Sequence, residues 1–149
     1  MILILDNIRS AYNVGSIMRT AEFFGIETIY CCGITPDTKE KKVLKTSLGT
    51  EHKLQIIKYA GATVRLVKKI KKEGYEILAL EQDARSIDLQ KFNIKKDKQY
   101  ALIVGNEIKG VSKSILGSAD SILEIKGQGH KESLNVAMAT AIVVAQLMQ

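Results

Sequence analysis

The sequence predicts an α/β fold with a mainly parallel sheet flanked by helices, and three observations carry that reading. Five short apolar runs recur along the chain: ILIL (2–5), TIYCC (28–32), EILAL (76–80), YALIV (100–104) and SILEI (121–125). They are apolar throughout instead of alternating, as strands covered on both faces are. Segments with helical spacing stand between or after them, and parallel strands need such crossover connections. All of this fits one ordinary domain over residues 1–149, with no repeat, low-complexity tract, linker or separate substrate-binding domain expected.

Each element has a local justification. ILIL opens the chain as a first strand, because a short apolar run without a basic lead-in is no signal peptide. NVGSIMRTAEFFG (13–25) places Ile17, Ala21 and Phe24 on one helical face, and Asn13 is a suitable N-cap. ATVRLVKKIKKEG (62–74) is a second helix, SKSILG (112–117) a short third, and SLNVAMATAIVVAQLM (133–148) the last. Gly25 and Gly74 are placed to end their helices. Residues 33–53 carry the only proline, Pro36, and several lysines, and read as a long mobile loop. LQIIK (54–58) reads as a sixth, short strand.

Composition narrows the function classes. The apolar fraction of 46% fits a globular domain, and no stretch reaches the ~20 apolar residues needed to cross a bilayer. Adjacent Cys31 and Cys32 point to opposite faces of a strand and cannot bridge, and no Cys/His cluster suggests a metal. A reduced, cytoplasmic protein is expected. The net charge of +6 is concentrated in KEKKVLK (39–45), KKIKKE (68–73) and KKDK (95–98). Such runs are commonly solvated faces, yet in a small basic protein they also make nucleic acid a candidate partner.

Three stretches stand out chemically. In NIRSAYNVGSIMRTAEFFG (7–25), Asn13, Gly15 and Arg19 can surround one pocket near the helix start. Arg19 is out of place beside a helix N-terminus, which prefers acids; it either pairs with Glu22 or aims at phosphate. In ALIVGNEIKGVS (101–112) a strand runs into Gly105, where a ligand can approach backbone closely, and Glu107 is the charged group expected to face it. An ordinary turn is the alternative. In KGQGHKESLNVAM (126–138), Ser133 is a candidate N-cap while Asn135 lacks a structural task. A glycine-rich lead-in to a helix start also suits anion binding, so capping and recognition both stand.

Taken together, NVGSIMRTA (13–21), LIVGNEIKG (102–110) and IKGQGHKESLNVA (125–137) resemble, in order, the three motifs of the SpoU (TrmH-like) branch of the SPOUT RNA methyltransferases. The resemblance covers nearly the whole chain. It implies an α/β domain with a C-terminal deep trefoil knot, usually homodimeric, with the first and third motifs close to the subunit interface. It implies S-adenosyl-L-methionine bound largely by backbone near Leu80, Glu81, Gly105, Ile125 and Leu134. The implied reaction is methyl transfer to a ribose 2′-hydroxyl of tRNA or rRNA, with Arg19 essential and Asn13, Glu107, Ser133 and Asn135 around it. Arg19 is then either the base or a clamp on phosphate and developing alkoxide. His130 is a candidate base by residue type but occupies a variable position of the third motif.

Lys126 and Gly127 replace the family's common Pro-Met, and Ala137 a frequent Ser. The first two change the stiffness of the cofactor loop and keep open a non-catalytic RNA-binding or assembly protein of the same fold. A base-modifying enzyme is a third reading, which Arg19 within its motif disfavours. LDNIRSAYNVG is also unlike the opening of the wobble-position tRNA enzymes, so the RNA could be another tRNA site or rRNA. Whatever the RNA, affinity should fall steeply as salt rises, because lysine–phosphate contacts release counterions. A titration flat from low to moderate salt would contradict that expectation.

Overall fold

The computed structural model describes residues 1–131 and 133–149. Seven strands form one sheet: β1 (Ile2–Asp6), β2 (Thr28–Cys32), β3 (Gln55–Tyr59), β4 (Tyr75–Leu80), β5 (Ile87–Asp88), β6 (Gln99–Val104) and β7 (Ser121–Glu124). Their order is β3-β2-β1-β6-β4-β7-β5, and every pairing is parallel. Among the described residues the α-helices are α1 (Ala11–Phe23), α2 (Lys41–Ser47), α3 (Thr63–Lys72), α4 (Lys113–Leu116) and α5 (Val136–Leu147). The mainly parallel α/β expectation is met.

The sheet divides the core into two layers by the two-residue period of its strands. Leu3 and Leu5 face a layer with Ile17, Met18 and Ala21 of α1 and Val143 and Val144 of α5. Ile2 and Ile4 face the other, with Leu66, Val67 and Ile70 of α3 and Ile115 and Leu116 of α4. Cys31 falls in the first layer and Cys32 in the second, both as free thiols. Burial drives their pKa values up, to about 12 and about 11. Among the described residues, no helix is long and apolar enough to cross a membrane.

All six sequence-expected strands form; β5, two residues long, was not anticipated. Residues 33–53 correct the expectation of a long mobile loop. They contain α2 and a short 3-10 turn, Thr50–Lys53. Only Val43 and Ser47 of α2 are buried, so its sequence shows little apolar periodicity. Gly25 and Gly74 do follow helix ends, with φ of 72° and 95°.

Helices α1 and α2 meet at Gly15. A Cβ there would lie 2.1 Å from Thr46 Oγ1 and 2.2 Å from the Val43 carbonyl oxygen. The carbonyl belongs to a helix and cannot swing aside, so the close approach needs glycine. Gly15→Ala should destabilise the fold by at least ~1–3 kcal/mol, lowering the urea midpoint. An unchanged midpoint would mean the helices are not packed this closely.

Candidate active site

The strand order reverses where β6 inserts between β1 and β4, and in open α/β sheets ligands bind beyond the carboxyl ends of strands at such a point. A cavity of about 460 Å³ opens there, within the range of small-molecule sites. Its lining includes Leu80, Glu81, Gly105, Ile125 and Leu134, the five positions expected to hold a cofactor. Glu107, Ser133 and Asn135 line it as well. Asn13 and Arg19 do not.

One carboxylate ties the three stretches together. Glu107 accepts backbone N–H bonds from Arg9 (2.9 Å) and Ser10 (3.0 Å), and its Oε1 accepts the Asn13 Nδ2 at 3.0 Å. It thus satisfies donors at the start of α1, where the helix dipole also favours an anion. Burial opposes its charge, but the Arg9, Ser10, Glu107 and Asn13 donors together outweigh it and hold the carboxyl below the usual glutamate range. Glu107 lines the cavity, and each of its carboxylate oxygens also accepts a hydrogen bond within the protein.

From Asn13 the connection continues. Its Oδ1 accepts the Asn135 Nδ2 at 3.0 Å. The Asn135 Oδ1 accepts from the Ala137 and Met138 amides, so Asn135, not Ser133, is the N-cap of α5. The N-cap of α1 is likewise Ser10, not Asn13, which lies within the helix. Ser10 fits the N-cap rule and was detectable on that ground. Ser133 is exposed, lines the cavity and has no hydrogen-bond partner among the described residues.

Glycines at the cavity serve the loops that form it. A Cβ on Gly105 would lie 2.4–2.5 Å from the backbone of Gly110 and Val111, so the loop packs closely here while Gly105 also lines the cavity. Gly110 has φ of 66°, and a Cβ would meet Glu81 Oε2 at 2.0 Å. That carboxylate accepts the Val111 amide at 2.7 Å, joining the ends of β4 and β6. Asn106, missed in the sequence, builds the same loop. Its Nδ2 donates to the Asn7 carbonyl, and its Oδ1 accepts from Ile108 and Lys109, an Asx-type turn that Asn near Gly can signal.

Arg19 stands elsewhere. It is exposed, with no hydrogen bond or ion pair among the described residues. Six residues at ~100° each carry it to another face of α1 from Asn13. Gly15 faces α2, so Asn13, Gly15 and Arg19 do not surround one pocket. The alternative partner Glu22 pairs with Lys53 at 3.4 Å. His130 is exposed, on the loop before α5. Lys126 is paired with Glu124 at 3.2 Å, and Gly127 contacts nothing at its Cβ position.

The lining suits a cationic guest. Among its described residues are Glu81, Glu107 and Glu124 but no Lys or Arg, beside apolar Leu80, Val104, Ile125 and Leu134. The fit to a nucleoside bearing a sulfonium therefore rests on apolar walls and glutamates in the lining.

Comparison with known proteins gives a consistent picture. The model of the SpoU rRNA Methylase family matches residues 1–145. An uncharacterised tRNA/rRNA methyltransferase of Borreliella burgdorferi is 34% identical over 148 residues, covering 98% of this chain and 62% of the relative. A tRNA (guanosine(18)-2′-O)-methyltransferase of the same organism is 29% identical, covering 97% and 64%. The crystal structure of an AdoMet-bound rRNA methyltransferase from Sinorhizobium meliloti superposes with a TM-score of 0.90 at 27% identity, covering 98% and 54%. The chain thus spans roughly three fifths of the length of the curated relatives it matches.

Glu107 gives a pH signature. Its folded pKa lies below the unfolded one, so its contribution to stability is present above the usual glutamate pKa and lost as pH falls through the lowered value. Glu107→Gln should lower the melting temperature at neutral pH and narrow the gap to wild type below about pH 5. A gap constant with pH would show that the carboxylate charge is not what holds α1.

Proposed function

The chain belongs to the SpoU rRNA Methylase family, and from that membership we propose that it is an RNA methyltransferase acting on a ribose 2′-hydroxyl of tRNA or rRNA with S-adenosyl-L-methionine. The observation that carries the reading is the single cavity shared by Leu80, Glu81, Gly105, Ile125, Leu134, Ser133 and Asn135 at the sheet's reversal point. When bound, the cofactor supplies a methyl group on a sulfonium, electrophilic enough for displacement by an oxygen. Leu80, Glu81, Gly105, Ile125 and Leu134 hold it, and the glutamates of the lining favour its charge. With the cavity lining intact around Ile125, the Lys126-Gly127 replacement does not favour the non-catalytic reading.

In this proposal Ser133, its hydroxyl unengaged, positions the ribose. Asn135 fixes the start of α5 and, through Asn13 and Glu107, its relation to α1. Arg19 carries a planar guanidinium, a fixed fork of N–H donors with no acceptor, which matches the geometry of phosphate. We assign it to the phosphate beside the target ribose and to the negative charge developing on the attacking oxygen.

Arg19 lies outside its own chain's cavity, which supports a homodimer in which a second copy supplies it. Along α1, Tyr12, Ser16, Arg19 and Phe23 form one outer stripe; α5 offers Met138 and Ile142. Phe23 and Met138 are 79% and 63% exposed, a large apolar surface for a lone chain. The C-terminal trefoil knot belongs to the same proposal, supported by the shared cavity of the 80–82, 105–110 and 133–136 segments. So does a cytoplasmic location.

The test is transfer of labelled methyl from S-adenosyl-L-methionine to unmodified tRNA and rRNA fractions, followed by digestion to locate the label. Arg19→Ala should reduce turnover by at least ~100-fold while cofactor affinity is retained. Label on a base would overturn the ribose chemistry, and no label with either RNA would overturn the activity. Mixing Arg19→Ala with Ser133→Ala chains should restore part of the activity if each site draws on both copies.

A further inference from the structure

One of the lysine-rich runs lies on a helix that the proposed chemistry does not use. Residues 63–73 hold Arg65, Lys68, Lys69, Lys71 and Lys72 against one carboxylate, Glu73. The apolar side of α3 is consumed by the core through Leu66, Val67 and Ile70. Lys71 is committed to Asp120 at 2.6 Å, and Lys69 approaches Glu73 at 3.9 Å. Arg65, Lys68 and Lys72 are exposed and have no carboxylate partner among the described residues.

Arg65, Lys68, Lys69 and Lys72 follow one another at helical spacing and form one ridge about 10 Å long. Solvation alone is a poor account of it. Arg65–Lys69 and Lys68–Lys72 are like-charged i,i+4 pairs, which destabilise a helix. The helix dipole welcomes Lys72 in the last turn but opposes Arg65 in the first. An anion lying along the ridge would relieve both conflicts.

The ridge begins at the edge of the sheet that carries the cavity. Thr63, the first residue of α3, donates from Oγ1 to buried Asp6 at the carboxyl end of β1. From there the helix crosses the layer opposite α1 and α5, so the ridge stays open when the α1–α5 face is covered. We propose that the α3 ridge is a contact for the phosphate backbone of the RNA, leading away from the catalytic cavity and reading no sequence. This rests on the RNA methyltransferase reading. An anionic membrane is the weaker partner, because α3 has no free apolar face to insert.

The experiment compares the full chain with the triple variant Arg65→Gln, Lys68→Gln, Lys72→Gln, and with Arg65→Gln alone. Dissociation constants for unmodified tRNA and rRNA fragments are measured across a salt series. The triple variant should bind about tenfold or more weaker at moderate salt, and its log–log salt slope should fall by about 3, or about 1 for the single variant. Turnover at saturating RNA should be unchanged, and melting temperature unchanged or raised. Unchanged affinity and slope, with wild-type binding intact, would overturn the ridge alone. A wild-type chain that neither binds nor methylates RNA would overturn the ridge and the enzyme reading together. Charge-dependent binding to phosphatidylserine vesicles, with RNA affinity unaffected by the variants, would reassign the surface and overturn the proposal.

Discussion

The geometry of the site depends on one anion, the Glu107 carboxylate, placed where α1 begins. A helix start leaves amide donors unpaired, and two donors ahead of the helix plus one side-chain amide converge on this group. Because Glu107 is carried by the loop after β6, the bond fixes a central strand to α1. Through Asn13 and Asn135 it also reaches the first turn of α5. The usual anion site at a helix N-terminus is therefore filled from within, and a guest must use the adjoining cavity.

That arrangement explains which parts of the sequence were legible. The central strands are apolar along their length and could not be mistaken, since β1 and β6 are covered on both faces. The three motifs indicated the cavity lining closely, because backbone and glycine positions follow the strand ends. Caps were misplaced by a few residues, since Ser10 and Asn13, or Ser133 and Asn135, are chemically interchangeable until the loop geometry is known. Helix α2 escaped because two buried side chains in seven do not make a pattern. Arg19 was grouped with Asn13 by nearness in sequence, which ignores the angle between them on the helix.

The distribution of charge has a logic that neither motif nor composition reveals. The cavity gathers carboxylates, each already held by a donor or a lysine, while the unpaired cations of α3 stand on the outer surface of the other layer. A small cationic guest and a large polyanion would thus be attracted to separate regions of one small domain. Separation matters because a carboxylate on the ridge would repel phosphate.

The neighbouring cysteines give the two halves of the core separate chemical clocks. Cys31 and Cys32 are one peptide unit apart, yet each thiol is sealed into a different side-chain layer. With pKa values near 12 and 11, neither presents much thiolate while the fold is closed. Alkylation must therefore wait for the layer concerned to open. Resolving the two modified sites by mass would time the loosening of the α1–α5 side against that of the α3–α4 side, within a single unaltered chain.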